Sequence, residues 1–312
     1  MSQREFDFQS FVEQRRTGSF SRDGAVRYAY AGDHAMMRAF SRMRPVELAA
    51  AAVVRTSRDL MRNQLLGQMV KVGPRQFPSI HRVAAHCAKT LDVPTPTLYI
   101  RNHPFPNAYT YGTDEESFIV IHSSLIDHFD EDELAFVIGH EVGHIQNKHV
   151  VYGTALQVLT QTAGVFLGFL VQPAIVALQT WYRRAEITCD RAGHLCNRNL
   201  DAACRSFLKL ATGSFKLYDE MNLDAFLEQL EEGKSGLGQI TEAFASHPYL
   251  PKRIEALRIF AASELYRDAA SLGEGGLSME EVDERTSRVI QIVASGEQEA
   301  VDGGPEKGDE SE

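Results

Sequence analysis

With 312 residues, 44% of them hydrophobic and 24% charged, the chain has the composition of a globular protein and length for one large domain or two small ones. Its formal charge of −10 is uneven, because Gly273–Glu312 sets twelve acidic residues against only Arg285, Arg288 and Lys307. The remainder is close to neutral and shows no basic face, which argues against a nucleic-acid partner.

Residues 1–44 are polar and dotted with arginine, with short clusters at Phe6, Phe8 and Phe11 and at Tyr28 and Tyr30. They read as an extension lying on the main domain. They lack the apolar run of a secretory signal, so a cytoplasmic location is expected. Pro45 opens an alanine-rich helix over Val46–Leu66, and a turn at Gly73-Pro74 leads to a second over Ile80–Leu91, ended by Val93-Pro94-Thr95-Pro96. Thr97–Arg101, Ala108–Tyr111 and Phe118–His122 read as strands, the last two joined by a turn at Gly112–Glu116.

Asp130–His149, DEDELAFVIGHEVGHIQNKH, carries the chemistry. Asp130 and Glu133 form an N-cap and capping box ahead of an apolar-periodic run. On that helix His140 and His144, four apart, share a face and can bind one metal ion, while Glu141 projects beside them as a base for an attacking water. Gly139 and Gly143 are also four apart, at a cost of roughly 1 kcal/mol each against alanine, which predicts close approach by another helix. His149, continued on the same helix, falls about 140° away from His144 and reads as a packing histidine. His122 and His128 have no ligand spacing and read as structural.

The stretch Val150–Tyr182 holds 33 residues without Asp, Glu, Lys or Arg. Its longest unbroken apolar run, Ala163–Val171, is far short of the roughly 20 residues a spanning helix needs. It reads as a buried or groove-lining helical hairpin broken at Gln172-Pro173, with membrane contact the less favoured alternative. Arg183–Asn199 resumes as a charged helix, followed by helices over Asp201–Thr212 and Leu223–Glu231, a loop at Gly233–Gly238, and a helix from about Pro251. Gly273–Gly276 is a linker, Met279–Ala294 a solvated helix, and the end an acidic, disordered tail. The domain organisation is thus 1–44, 45–270 and 271–312. Cys87, Cys189, Cys196 and Cys204 form no CxxC pair and read as reduced, packed thiols.

Two histidines do not complete a catalytic zinc site, which needs a third protein ligand and an open position. A third histidine six residues after His144 is excluded, because Val150 stands there. Glu186 and Asp190, four apart, offer an alternative: Glu186 as the third ligand and Asp190 as acceptor for the second ring N–H of a ligand histidine. By spacing alone they could equally be a solvated acidic face paired with Arg183 or Arg184.

Taken together, Pro106-Asn107-Ala108, Ser123-Ser124-Leu125, GHEVGHIQNKH, the Glu186–Asp190 pair with Gly193, and SHPYLPKRI at Ser246–Ile254 resemble the HtpX-like zinc endopeptidases, a group that includes the CaaX prenyl proteases. The likeness spans roughly Ile80–Phe260. It implies one zinc per chain held by His140, His144 and Glu186, with Glu141 as general base. It also implies a substrate-binding strand edge at Asn107, Ala108 and Tyr109, and His247 and Arg253 near the active centre, one or the other of which would donate to the oxyanion. Cys189 stands where the family usually has alanine, and the absence of clear spanning helices resembles the soluble branch. The fold expected is α-rich α+β, zincin-type, with a small mixed sheet beside the HEVGH helix. The expected activity is hydrolysis of unfolded or misfolded polypeptides. The alternatives are a chaperone-like peptide binder and a protease working at the bilayer surface.

Overall fold

The computed structural model describes residues 26–42, 67–113, 117–162, 165–218, 220–232 and 249–291. The expected helix over 46–66, the loop at 233–238, the segment carrying His247 and the end of the acidic tail lie outside the described residues.

Four strands, β1 (Met69–Lys71), β2 (Thr97–Arg101), β3 (Ala108–Gly112) and β4 (Ser117–His122), form one mixed sheet in the order β1-β2-β4-β3. β2 and β4 run parallel, and the β3–β4 hairpin pairs Ala108 with Ile121 and Tyr111 with Phe118. β3 is therefore an edge strand. One face of the sheet, with Leu98, Ile119 and Ile121 fully buried, packs on helix α2 (Pro78–Thr90) and on α4 (Glu131–Gln146), which follows the short α3 (Ser123–His128). The fold is thus α-rich α+β with the sheet beside the HEVGH helix.

α4 begins as expected. The Asp130 carboxylate accepts the Glu133 backbone N–H, and the Glu133 side chain accepts that of Asp130. Glu133 is wholly buried, and Arg205 (3.0 Å) and Lys209 (2.6 Å) neutralise it. Both cations sit on α7 (Leu200–Thr212), which is tied in this way to the start of α4.

The charge-free stretch becomes α5 (Val150–Thr162) and the first half of α6 (Val165–Asn197). The expected break at Gln172-Pro173 is not there. α6 passes through Pro173 and merges with the charged helix to give 33 continuous residues. One proline removes a single backbone hydrogen bond, and Ile175, Leu178, Trp181 and Ala185 beyond it are buried against Tyr152, Ala155 and Leu156 of α5. Phe40 from helix α1 (Ala31–Arg42) joins this second core. No described helix is long and apolar enough to cross a membrane.

The glycines of α4 do face another helix. A Cβ on Gly139 would meet Cys196 at 2.8 Å, and one on Gly143 would meet Ala192 at 2.8 Å. The reciprocal glycine, Gly193 of α6, lies against the backbone of α4. All four cysteines are free and buried.

Beyond the short helix α8 (Phe215–Tyr218), α9 (Leu223–Glu232) leads toward α10 (Leu250–Ala261), α11 (Glu264–Ala269) and α12 (Met279–Ile290). α12 corrects the expectation of a solvated helix in an acidic tail. Its Val282 and Thr286 are fully buried, and Asp283 pairs with the buried Arg191 of α6 at 2.8 Å. A guanidinium inside the domain requires a matching anion, and this nominally surface-type sequence supplies it.

Candidate active site and metal centre

The α4–α6 contact brings four groups together. His140 and His144 rise from one face of α4, as their spacing requires, and both turn Nε2 toward Glu186 of α6. His140 Nε2 lies 3.6 Å from one carboxylate oxygen and His144 Nε2 lies 3.4 Å from the other. All three residues are buried, at 7%, 4% and 2% exposure. Two imidazole nitrogens and one carboxylate converging from rigid helices are a donor set that suits zinc, with a side left open to the cleft. Glu141 lies next to them in the same cleft, so a metal and a base can share one attacking water.

A layer of partners holds these groups. The Nδ1–H of His140 donates to Asp190 at 2.9 Å, as the four-residue spacing from Glu186 suggested. Arg253 of α10 binds both oxygens of Asp190, at 2.8 and 2.6 Å, and one oxygen of Glu186 at 2.9 Å. It thus sits behind the carboxylates, engaged with both. Burial alone would hold His140 neutral, but Glu186, and Asp190 after it, raise it to about 10. The site is built to receive positive charge beside those carboxylates. Burial, aided by the neighbouring His140, lowers His144 against the opposing pull of Glu186.

His140, His144 and Cys189 also place ligand-type atoms within 4.8 Å of one another. The thiol is the poorer third donor. Burial, then the charges of Glu186 and Asp33, raise Cys189 in the ion-free chain, and Cys189 is not among the residues that line the cleft. Its sulfur contacts His149 Nδ1 at 3.6 Å rather than facing the cleft.

The cleft has a volume of about 440 Å³ and reaches from the histidines to β3, with Asn107, Ala108 and Tyr109 along its wall. Asn107, Ala108, Tyr109, His140, Glu141, His144, Glu186 and Arg253 all line it. Asp190 lies behind His140.

Several residues around the site are not readable from spacing. Thr110 of β3 donates its hydroxyl to the Glu141 carboxylate at 2.7 Å, holding it from across the cleft. Tyr182 stacks on His144 with ring centroids 5.5 Å apart and planes 12° apart. His122, expected to be structural, lines the cleft. Its Nδ1–H donates to the Phe105 carbonyl at 2.8 Å, its ring lies 4.2 Å from that of His103, and burial lowers its pKa. His149 is not on α4 at all. The helix ends at Gln146, Lys148 turns the chain with φ 58, and the His149 N–H bonds back to the His144 carbonyl at 2.9 Å. Its ring therefore lies against His144. Nothing in a spacing rule anticipates that fold-back.

The family model "Peptidase family M48" matches residues 74–261. The chain is 34% identical over 187 residues to the plastoglobule-localized metallopeptidase 48, chloroplastic, of Arabidopsis thaliana, covering 59% of this chain and 54% of that protein. It therefore spans about half the length of that relative. A "Protease HtpX homolog" of Caldanaerobacter subterraneus is 24% identical over 226 residues, covering 61% of this chain and 74% of that protein. Another, from Halobacterium salinarum, is 31% identical over 97 residues, 31% of this chain and 34% of that one. No solved structure matches. With the metal-type site, the mixed sheet and the matched stretch in agreement, the chain belongs to peptidase family M48.

Proposed function

We propose that the protein is a zinc-dependent endopeptidase that cleaves extended, locally unfolded polypeptides, a role in protein quality control. The observation that carries the reading is the convergence of the His140 and His144 Nε2 atoms on Glu186, with Glu141 beside them in a cleft walled by an edge strand. His140, His144 and Glu186 would hold the zinc, whose chemistry in such a set is to polarise a carbonyl and acidify a water.

The remaining steps belong to the chain's own residues. Glu141, held by Thr110, takes the proton of the attacking water and passes it to the leaving amine. Asp190 fixes His140 with its proton on Nδ1, leaving Nε2 free to ligate. Arg253 acts as a positioning residue through Asp190 and Glu186. Arg253 is thereby committed to the carboxylates, and the family resemblance leaves His247 as the residue that would either donate to the oxyanion or occupy the open metal position.

Antiparallel pairing alternates along β3, and the Asn107 carbonyl already accepts the His122 N–H. Ala108 and Thr110 therefore present their backbone to the open side. A peptide added there would be held by main-chain bonds with broad sequence tolerance. A lipid-surface site of action is the alternative that the plastoglobule relative's name suggests, and stimulation by lipid vesicles would favour it.

Metal analysis and turnover of unfolded casein test the assignment. Glu186→Ala loses zinc, whereas Glu141→Gln keeps zinc and loses hydrolysis. Equal zinc loss in both variants would sink the division of roles.

A further inference from the structure

Asp33 lies outside the stretch matched to the family, yet it is 2% exposed and reaches the metal site. Its carboxylate accepts three hydrogen bonds: the Trp181 indole on Oδ1 at 2.9 Å, the Thr188 hydroxyl on Oδ2 at 2.7 Å, and His149 Nε2 on Oδ2 at 3.0 Å. His149, 1% exposed, turns its other ring nitrogen to His144 Nδ1 at 3.3 Å. The three residues form a buried chain that ends on a metal-ligand candidate.

Proton placement along the chain has one solution compatible with metal binding. A neutral His144 that ligates through Nε2 carries its proton on Nδ1. That N–H points at His149 Nδ1, which must then be a bare acceptor, so the His149 proton sits on Nε2. Nε2–H faces the Asp33 carboxylate, the strongest acceptor available to it. The reverse order would put the His144 proton on Nε2, where the metal belongs. It would also set the bare His149 Nε2 against a carboxylate oxygen in a buried site, leaving both lone pairs unsatisfied.

We propose that Asp33, acting through His149, is a positioning residue for His144, so that the segment N-terminal to the peptidase match completes the metal centre. His140 has Asp190 as its outer partner; His144 has the His149–Asp33 pair. The segment is anchored for this task. Tyr28 bonds Gln146 and Asn147 at the end of α4, and the Tyr30 N–H donates to Thr188 at 3.1 Å.

The inference rests on the ligand assignment made above, and the test separates the two. Zinc affinity, measured by chelator competition on the full chain, should fall about 10- to 100-fold in Asp33→Asn, the usual effect of losing an outer partner. Trp181→Phe removes a different hydrogen bond from the same carboxylate and should bind within about twofold of wild type, even though it shrinks a fully buried ring while Asp33→Asn keeps the shape. Long-range proton–nitrogen NMR of the zinc-loaded wild type needs no variant, so it decides even if Asp33→Asn fails to fold. It should show His149 as the Nε2–H tautomer and His144 as Nδ1–H. A His149 proton on Nδ1, or a folded Asp33→Asn with unchanged affinity while Glu186→Ala loses zinc, overturns the role of Asp33. Zinc binding that survives Glu186→Ala removes the ligand assignment and the inference with it.

Discussion

Gly193→Ala tests whether the α4–α6 contact sets the metal site. The added methyl would lie 2.5 Å from the Phe136 carbonyl oxygen and 3.0 Å from its ring. That carbonyl belongs to the helical turn whose bond runs to the His140 N–H, and Phe136 is itself buried, edge-on to Phe207 at 5.3 Å. Nothing flexible can yield. The methyl is about 0.9 Å inside ordinary contact distance, so the helices must part. Overpacking of this kind costs roughly 3 kcal/mol at the upper end of its range. Alanine regains about 1 kcal/mol of helix propensity, leaving a net loss of about 2 kcal/mol, or roughly 4–8 °C in melting temperature. Because Glu186 rides on α6 two turns away, the displacement should also weaken zinc binding. Denaturant unfolding of the metal-free variant and chelator competition read the two effects. A Gly193→Ala protein as stable as wild type, or more so, would refute the close-approach argument.

Thr110→Val, which keeps the shape and removes the hydroxyl, should leave zinc content unchanged and lower turnover about tenfold, because a hydrogen bond to a charged group is worth roughly 1.5–3 kcal/mol; steady-state kinetics check it. Asp283→Ala strands the buried Arg191 and should cost about 3 kcal/mol in denaturant unfolding. His194 is buried and stacked on Tyr266 at 4.1 Å, and burial lowers its pKa to about 4. The unfolded chain therefore binds a proton near its ordinary pKa of about 6.5 while the folded chain refuses it. Stability is intact at pH 7 and should fall by about 2 kcal/mol by pH 5. Unfolding curves of wild type and His194→Gln across that range should differ in slope, wild type being the steeper.

Legibility divides between local and tertiary signals. The Asp130–Glu133 cap, the His140–His144 pair and the facing of Gly139 and Gly143 are set by helix periodicity alone, and the structure reproduces each. The convergence of Glu186 with the histidines needed the resemblance, because spacing could not tell a ligand from a solvated acid. A breaker rule places a helix end at Pro173 because it ignores the burial of Ile175, Leu178 and Trp181 that carries the helix onward. α12 looked solvated because its acidic composition hides an anion matched to a cation some ninety residues earlier in the chain. Asp33 and Thr110 are tertiary in the same sense: each acts on a group that no sequence window contains. His149 shares a window with His144, but the fold-back through Lys148 that joins their rings is not a helical spacing.

The outer layer also predicts what metal removal does. Glu186 and Asp190 are buried carboxylates that stay compensated when the ion is stripped, by Arg253, which bridges both at 2.6–2.9 Å, and by His140, which they raise to about 10. Thr110 still holds Glu141, and Asp33 still holds His149. Each metal-site side chain is thus tied to a different segment, β3, α1 or α10, independently of the ion. The chelated chain should therefore stay folded at 25 °C, unlike small domains whose fold is created by zinc. Zinc at a thousandfold excess over its dissociation constant should then add about 4 kcal/mol by mass action, or roughly 8–16 °C in melting temperature. Circular dichroism in the near- and far-ultraviolet, with chelator and after zinc is restored, measures both. Loss of the near-ultraviolet signal on chelation at 25 °C would mean that the ion, and not Arg253, holds the carboxylates in place.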